Sequence, residues 1–214
     1  SLAQAFSLTR NDAMSMWTFQ VGDASPTSNL RFLSASGRDA NRLWGSDFSA
    51  PPRMWSDAEG YWGIGRNDSG VAQISTRNDT TWQSGEVLLH PKGGGVPDGL
   101  VIGWTAPRAL VLDLRHAFGL AAQGSDGVGL RVLRWRPAGS EELVALPNIG
   151  VGITNQLNGL RVQAGDRILF RIDTAGDPGG DIVRADIRMT ARKSGAGRAP
   201  GVEPSEVRVA VGSD

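Results

Sequence analysis

The chain has 214 residues with 22 basic and 22 acidic side chains, so its formal net charge at pH 7 is zero. This balance argues against a broad phosphate-binding surface and therefore against nucleic acid as a partner. There is no cysteine, which excludes disulfides, thiol nucleophiles and thiolate metal sites. No apolar run approaches the roughly 20 residues that a membrane helix requires, so no membrane association is expected.

The first residues allow two interpretations. Ala3-Gln4-Ala5 has the small-x-small form of a signal-peptidase site, with Phe6 as the mature start, and a leftover linker would look the same. Residues 14–21 then alternate in the manner of a β-strand. The alternation predicts two faces, one with Met14, Met16, Thr18 and Gln20 and the other with Trp17, Phe19 and Val21.

Residues 22–85 have a different composition. They are rich in Gly, Ser, Asn, Asp and Pro, with aromatic residues between short apolar pieces. This composition is typical of short strands joined by long ordered loops. Loops of such length in a compact domain are usually functional or packed under their own side chains.

From Gly99 onward the alternation of apolar and polar residues is regular, and Gly, Pro and Asp corners interrupt it. It predicts buried strand faces made of Leu100, Ile102 and Trp104; Leu110, Leu112, Leu114, His116, Phe118 and Leu120; Val128, Leu130 and Val132; Ile168, Phe170 and Ile172; and Val183, Ala185, Ile187 and Met189.

These patterns predict an all-β fold, a single antiparallel β-sandwich of jelly-roll type with long ordered loops and little helix. We expect the sandwich to span residues 1–190. Residues 191–214 have the composition of a linker or C-terminal tail, in which Val207–Val211 would add a short extra strand.

Several short motifs recur in a fixed order along residues 6–190. They are Phe6-Ser7-Leu8 with Asn11 and Trp17, His90-Pro91 with Gly93, Trp104-Thr105-Ala106-Pro107, Gly127-Val128 after Asp126, and Ala164-Gly165-Asp166-Arg167-Ile168. In this order the chain resembles the jelly-roll accessory module appended to secreted bacterial polysaccharide-degrading enzymes. The resemblance implies a carbohydrate-binding or enzyme-supporting, non-catalytic role, beside a catalytic domain of the same protein.

A ligand site is predicted in the loop-rich half. Sugar binding requires flat aromatic faces for the C–H side of a ring, and Asn, Asp and Arg for its hydroxyl groups. The alternative is that the aromatics pack under the long loops as satellite cores. The candidate ligand-binding residues are Trp44, Trp55, Tyr61, Trp62 and Trp82, with Arg66, Asn67 and Asp68; Trp17, Trp104 and Trp135 are expected in the core.

A structural calcium ion is a second expectation. Asp173, Asp177, Asp181 and Asp186 surround a Gly-Asp-Pro-Gly-Gly loop, and calcium takes several oxygens from carboxylates and backbone carbonyls. The alternative is turn chemistry, in which the aspartates bond their own backbone. Asp126 before Gly127 could also contribute to a site, but Asp-Gly between two strands chiefly indicates a turn.

Catalysis is the main rival to binding. A glycosidase would need two carboxylates across a cleft, and Asp57 with Glu59 or Asp68 are the candidates. A polysaccharide lyase would use Tyr61 or His90 as a base beside an arginine. His116 and His90 are otherwise expected to be hydrogen-bonded structural histidines, and two histidines without cysteine make a zinc site unexpected.

We therefore expect a non-catalytic carbohydrate-binding module of an extracellular bacterial polysaccharide-active protein. Its ligand would be a polysaccharide or oligosaccharide, held by loop aromatics and by Arg, Asn and Asp hydrogen bonds. A polysaccharide lyase or glycoside hydrolase is one alternative, and a structural or protein-interaction sandwich is another.

Overall fold

The computed structural model describes residues 1–7, 9–23, 29–36, 53–56, 63–75, 80–91, 99–177, 179–192 and 208–211. In chain order the elements are α1 (Leu2–Ala5), β1 (Trp17–Gly22), β2 (Arg31–Phe32), β3 (Ala35–Ser36), β4 (Arg53–Ser56), β5 (Gly63–Arg66), β6 (Gln73–Ile74), β7 (Thr81–Trp82), β8 (Val87–His90), β9 (Gly99–Thr105), β10 (Leu110–Leu120), β11 (Val128–Arg136), β12 (Gly139–Leu146), β13 (Ile153–Val162), β14 (Arg167–Thr174), β15 (Val183–Ala191) and β16 (Arg208–Val211).

Two large antiparallel sheets pack face to face, which confirms the predicted all-β sandwich. Across the described residues, one sheet has the order β12-β11-β14-β9-β1-β2 and the other the order β16-β13-β10-β15-β8-β5-β4-β3; β6 and β7 form a separate hairpin. From β9 to β15 the chain passes repeatedly from one sheet to the other, as in jelly rolls. In the described part of the chain, no helix is long and apolar enough to cross a membrane.

Alternating side chains explain why the strands bury one face. On β10, Leu112, Leu114 and Phe118 are at most 2% exposed, whereas Arg115 between them is exposed. Because successive strand side chains point to opposite sides, an apolar set on every second position reaches the space between the sheets. The predicted inner faces of β1, β9, β11, β14 and β15 lie in the same core.

Two smaller hydrophobic clusters lie on the outer faces of the sheets. Met54, Trp82, Leu88, Ala122 and Ile182 pack together outside the eight-stranded sheet. Val101, Leu133 and Leu169 do the same outside the six-stranded sheet, with Trp135 partly buried against them. Trp135 was expected in the core between the sheets, and its position on an outer face corrects that prediction. Trp17 and Trp104 are core residues, as predicted.

His116 lies in the core, but it does not have the hydrogen bonds that were expected. It is fully buried, and neither ring nitrogen has a partner. Its imidazole contacts the rings of Phe118 and Phe170, at centroid distances of 5.8 and 5.6 Å. Burial lowers the pKa of His116 from 6.5 to about 4, so the ring is neutral at pH 7.

The two ends of the described chain add small elements to the sandwich. Ala3, Gln4 and Ala5 belong to α1, whose first turn is capped by Ser1 and whose Leu2 is fully buried. Near the other end, β16 pairs with β13 in antiparallel register, with Ile153 opposite Val211.

Candidate functional site

The predicted aromatic platform is not assembled by the described residues. Trp55 is 7% exposed and donates its indole N–H to the backbone oxygen of Ser7 at 2.7 Å. Trp82 is fully buried and donates to the backbone oxygen of Glu86 at 2.8 Å. Because a sugar needs an open aromatic face, neither indole can act as a platform in this structure. Trp44, Tyr61 and Trp62 lie outside the described residues, as do Asp57 and Glu59.

Asn67 is buried and organises a loop, so its side chain is not available to a ligand. Its side-chain amide is buried and donates to the backbone oxygens of Val71 and Trp82, each at 2.8 Å. Its Oδ1 accepts from the backbone N–H and the hydroxyl of Ser69. These bonds tie the loop after β5 to the backbone of β7. The neighbouring Arg66 and Asp68 form an ion pair, with 3.3 Å between Nε and Oδ1.

The four aspartates predicted to bind calcium do not converge. Asp173 is paired with Arg171 on the outer face of the six-stranded sheet, and Asp186 is paired with Arg188 on the outer face of the other sheet. Two carboxylates on opposite faces of a sandwich cannot share one ion. No group of three potential metal ligands is present within the described ranges. The prediction of a four-aspartate site is therefore wrong.

Two of those aspartates have turn and loop roles instead. Asp177 accepts the backbone N–H of Gly179 at 2.9 Å, and its own N–H donates to Asp126 at 3.0 Å. Asp181 is fully buried and accepts a hydrogen bond from the hydroxyl of Ser125. Turn chemistry, the alternative stated for this loop, accounts for the Gly179–Asp177 contact. The contacts with Asp126 and Ser125 instead join this loop to the β10–β11 turn.

An open groove of about 810 Å³ lies on the outer face of the eight-stranded sheet. It runs over β10, β13 and β15, and is bounded at its sides by the residues before β8 and by α1. Its lining includes Ala3, Ser84, Gly85, Glu86, Ala117, Gly119, Gly152, Thr154, Arg184, Asp186 and Arg188. A volume in the range of about 300–1,000 Å³ is usual for sites that hold small molecules or segments of larger ones.

Small residues make the floor of the groove. Ala117 and Gly119 occupy alternate positions of β10, on the face opposite to the core residue Phe118. Gly152 lies beside Gly119, since a Cβ on Gly119 would be 3.7 Å from the Gly152 Cα. Without large side chains at these positions, the sheet surface is open to a ligand.

Arg184 forms the wall between the groove and the cluster around Trp82. It lies opposite Gly119 on one side and Leu88 on the other. Its guanidinium pairs with Glu86, with 2.8 Å between Nε and Oε1, and Nη2 donates to the backbone oxygen of Thr81 at 2.6 Å. These contacts join the β6–β7 hairpin to the sheet, and no other described element packs over the groove beside it.

Polar groups on the other side of the groove are available to a ligand. Arg188 and Asp186 form an ion pair with 2.9 Å between Nη2 and Oδ2, and their side chains are 60% and 40% exposed. An exposed pair of this kind contributes little stability and can exchange partners easily. With the exposed Thr154 on β13, the rim carries a guanidinium, a carboxylate and a hydroxyl.

Among the described residues that the sequence analysis assigned to a site, Asp186 lines this groove. The rest of the groove was missed, although Arg184, Asp186 and Arg188 alternate visibly in the sequence opposite the core face of β15. That alternation shows which residues of β15 lie on the outer face, but it does not show whether another segment of the chain packs over them. No family model matches the chain, and no curated protein matches it either.

Proposed function

We propose that this protein is a carbohydrate-binding β-sandwich and that the groove over β10, β13 and β15 is its binding site. The observation that supports it is an open groove on the sheet surface with a floor of alanine and glycine and a rim of guanidinium, carboxylate and hydroxyl groups. Sugar hydroxyls donate and accept hydrogen bonds, so a rim with both kinds of partner suits them. The resemblance to secreted accessory modules supports the same proposal, with an extracellular location.

Binding without catalysis is the form of this function that we favour. Both carboxylates lining the groove, Glu86 and Asp186, are ion-paired with Arg184 and Arg188. Charge pairs of this kind suit recognition, whereas acid–base catalysis requires a group that can exchange a proton with the substrate. The expected affinity is modest, on the order of micromolar to millimolar, because the groove is open and shallow.

Affinity electrophoresis against a panel of polysaccharides tests the proposal when it is combined with a variant that fills the groove. Ala117→Phe places a large ring on the floor, and Ala145→Phe makes the same change at an exposed position of β12, in the other sheet. We expect at least one glycan to retard the wild type and the Ala145→Phe control equally, and Ala117→Phe to weaken that retardation at least about tenfold.

Two results would contradict the proposal. One is a panel in which no glycan retards the wild type, and the other is equal retardation of the wild type and Ala117→Phe. Turnover is assayed on the same polysaccharides as new reducing ends and as absorbance of unsaturated uronates. Product formation by the isolated chain would show that it is a lyase or hydrolase and not a non-catalytic binding module.

A further inference from the structure

We propose that the groove selects glycans with negative charges, carboxylate or sulfate, on their sugar rings. The inference rests on the carbohydrate-binding function proposed above and specifies its ligand class. It starts from Arg115, which precedes Ala117 by two residues and therefore lies on the same outer face of β10 as the groove floor.

Arg115 and Arg188 lie directly opposite each other on neighbouring antiparallel strands. Like charges in this arrangement repel, which destabilises a sheet unless another group neutralises them. On its other side Arg115 faces Gln156 of β13, which has no charge. Both arginines are exposed, so both guanidinium groups can reach a ligand above the sheet.

Neither of the described carboxylates near this pair contacts Arg115. Asp113, two residues before Arg115, binds Arg192 at 2.8 Å. Asp186 binds Arg188 alone. Within the described part of the chain, Arg115 has no ion pair and no side-chain hydrogen bond. Asp186 therefore neutralises Arg188, while the positive charge of Arg115 has no carboxylate partner among the described residues.

A count of charged groups over the outer face of β10, β13 and β15 gives the same result. The described residues of β10, β13 and β15, with the flanking Glu86 and Arg192, carry an excess of basic groups. They are the five arginines Arg115, Arg161, Arg184, Arg188 and Arg192, against the three carboxylates Asp113, Asp186 and Glu86. Because the chain as a whole has no net charge, this excess is a property of one face.

A ligand oxyanion bound between Arg115 and Arg188 would remove the repulsion. The planar guanidinium presents paired N–H donors that match two oxygens of a carboxylate or a sulfate. A neutral sugar cannot supply that charge. The same two arginines would therefore add affinity for an acidic glycan and add little for a neutral one.

The experiment uses matched pairs of polysaccharides in affinity gels. Polygalacturonate is compared with its methyl ester, and dextran sulfate with dextran, so that the backbone stays the same while the charge changes. The proteins are the wild type, Arg115→Gln, Arg188→Gln and the control Arg131→Gln. Arg131 is an exposed arginine paired with Glu142 on the six-stranded sheet, at 2.7 Å.

We expect at least one charged polysaccharide to bind about tenfold or more tightly than its neutral partner, and Arg115→Gln and Arg188→Gln each to reduce that preference about tenfold. Arg131→Gln should bind like the wild type. Raising the salt concentration should weaken binding of the charged polysaccharide more than that of the neutral one. A preference for polygalacturonate over its methyl ester identifies carboxylate as the recognised group, and a preference for dextran sulfate over dextran identifies sulfate. Thermal unfolding confirms that the glutamine variants are folded.

The failures of the two proposals can be told apart. Equal binding of charged and neutral partners, reduced by Ala117→Phe but not by the arginine variants, would overturn the charge selection and leave carbohydrate binding intact. Equal weakening by Arg131→Gln would show attraction by surface charge in general and would also overturn it. No retardation by any polysaccharide would overturn both proposals.

Discussion

Ser125 donates a hydrogen bond to Asp181, a residue 56 positions further along the chain, and so joins the β10–β11 turn to the loop that precedes β15. The hydroxyl also accepts the backbone N–H of Gly127 at 3.0 Å. The second carboxylate oxygen of Asp181 is buried without a partner. Burial, with a smaller contribution from the charges of Asp126 and Asp177, raises the pKa of Asp181 from 3.8 to about 6, although the hydrogen bond from Ser125 acts in the lowering direction.

The Asp181 carboxylate should therefore cost stability at neutral pH. Because its pKa is higher in the folded than in the unfolded chain, the folded state binds more protons between about pH 4 and pH 6, and the penalty disappears as the pH falls through this range. We expect Asp181→Asn to raise the free energy of unfolding at pH 7 by on the order of 1–3 kcal/mol, and by much less at pH 4. Urea unfolding at both pH values measures this; a loss of stability at pH 7 would contradict it.

His116 should have the opposite pH dependence. Its pKa is lowered from 6.5 to about 4 in the folded chain, so the unfolded chain binds the proton more readily between these values. Stability from this residue is complete above about pH 6.5 and is lost as the pH falls towards 4, by up to about 3 kcal/mol.

His116→Leu tests this directly, because leucine fills a similar volume and cannot be protonated. The stability difference between His116→Leu and the wild type should grow in favour of the variant as the pH falls from 7 to 4. A difference that is constant over this range would show that the imidazole does not resist protonation in the core. Asp181→Asn serves as the comparison, since its difference changes in the other direction.

Asn67 should be far more important for stability than its neighbour Asp68. Asn67→Ala removes a buried amide with bonds to Val71, Trp82 and Ser69 and leaves backbone oxygens unsatisfied, which we expect to cost about 2–3 kcal/mol. Asp68→Ala removes an exposed ion pair with Arg66 and should cost less than about 1 kcal/mol. Chemical denaturation of the two variants makes the comparison, and equal losses would contradict the role assigned to Asn67.

Gly127 should tolerate substitution less well than Gly124 in the same turn. Both have positive φ, of 104° and 83°, but a Cβ on Gly127 would overlap the side-chain amide of Asn148, whereas nothing lies within 4 Å of a Cβ on Gly124. Gly124→Ala should cost about 1 kcal/mol from backbone strain alone, and Gly127→Ala clearly more. Thermal unfolding of the two variants measures the difference; similar losses would show that Asn148 moves without cost and would overturn the prediction.

The aromatic-site prediction illustrates the limit of composition as evidence. Trp55 and Trp82 stand among glycine, serine and asparagine, which is typical of an exposed loop. In the structure Trp82 packs against Met54, Leu88 and Ile182, and Trp55 lies in the core from β4. Whether a loop covers its own aromatics depends on contacts between residues distant in the chain, and composition contains no information about those contacts.

The sequence by itself determined the main strands whose apolar side alternates regularly, because these depend on a local period of two residues; β12 and β13 were not predicted from it. On β15 it placed Val183, Ala185 and Ile187 inward, and on β10 it placed Phe118 inward. Only the tertiary structure decided that Asp173 and Asp186 lie on opposite outer faces, that Arg115 faces Arg188, and that the described residues form a groove over β10, β13 and β15. Sheet membership, register and coverage arise from pairing between distant segments, and the alternation within one strand is the same for every choice of partner.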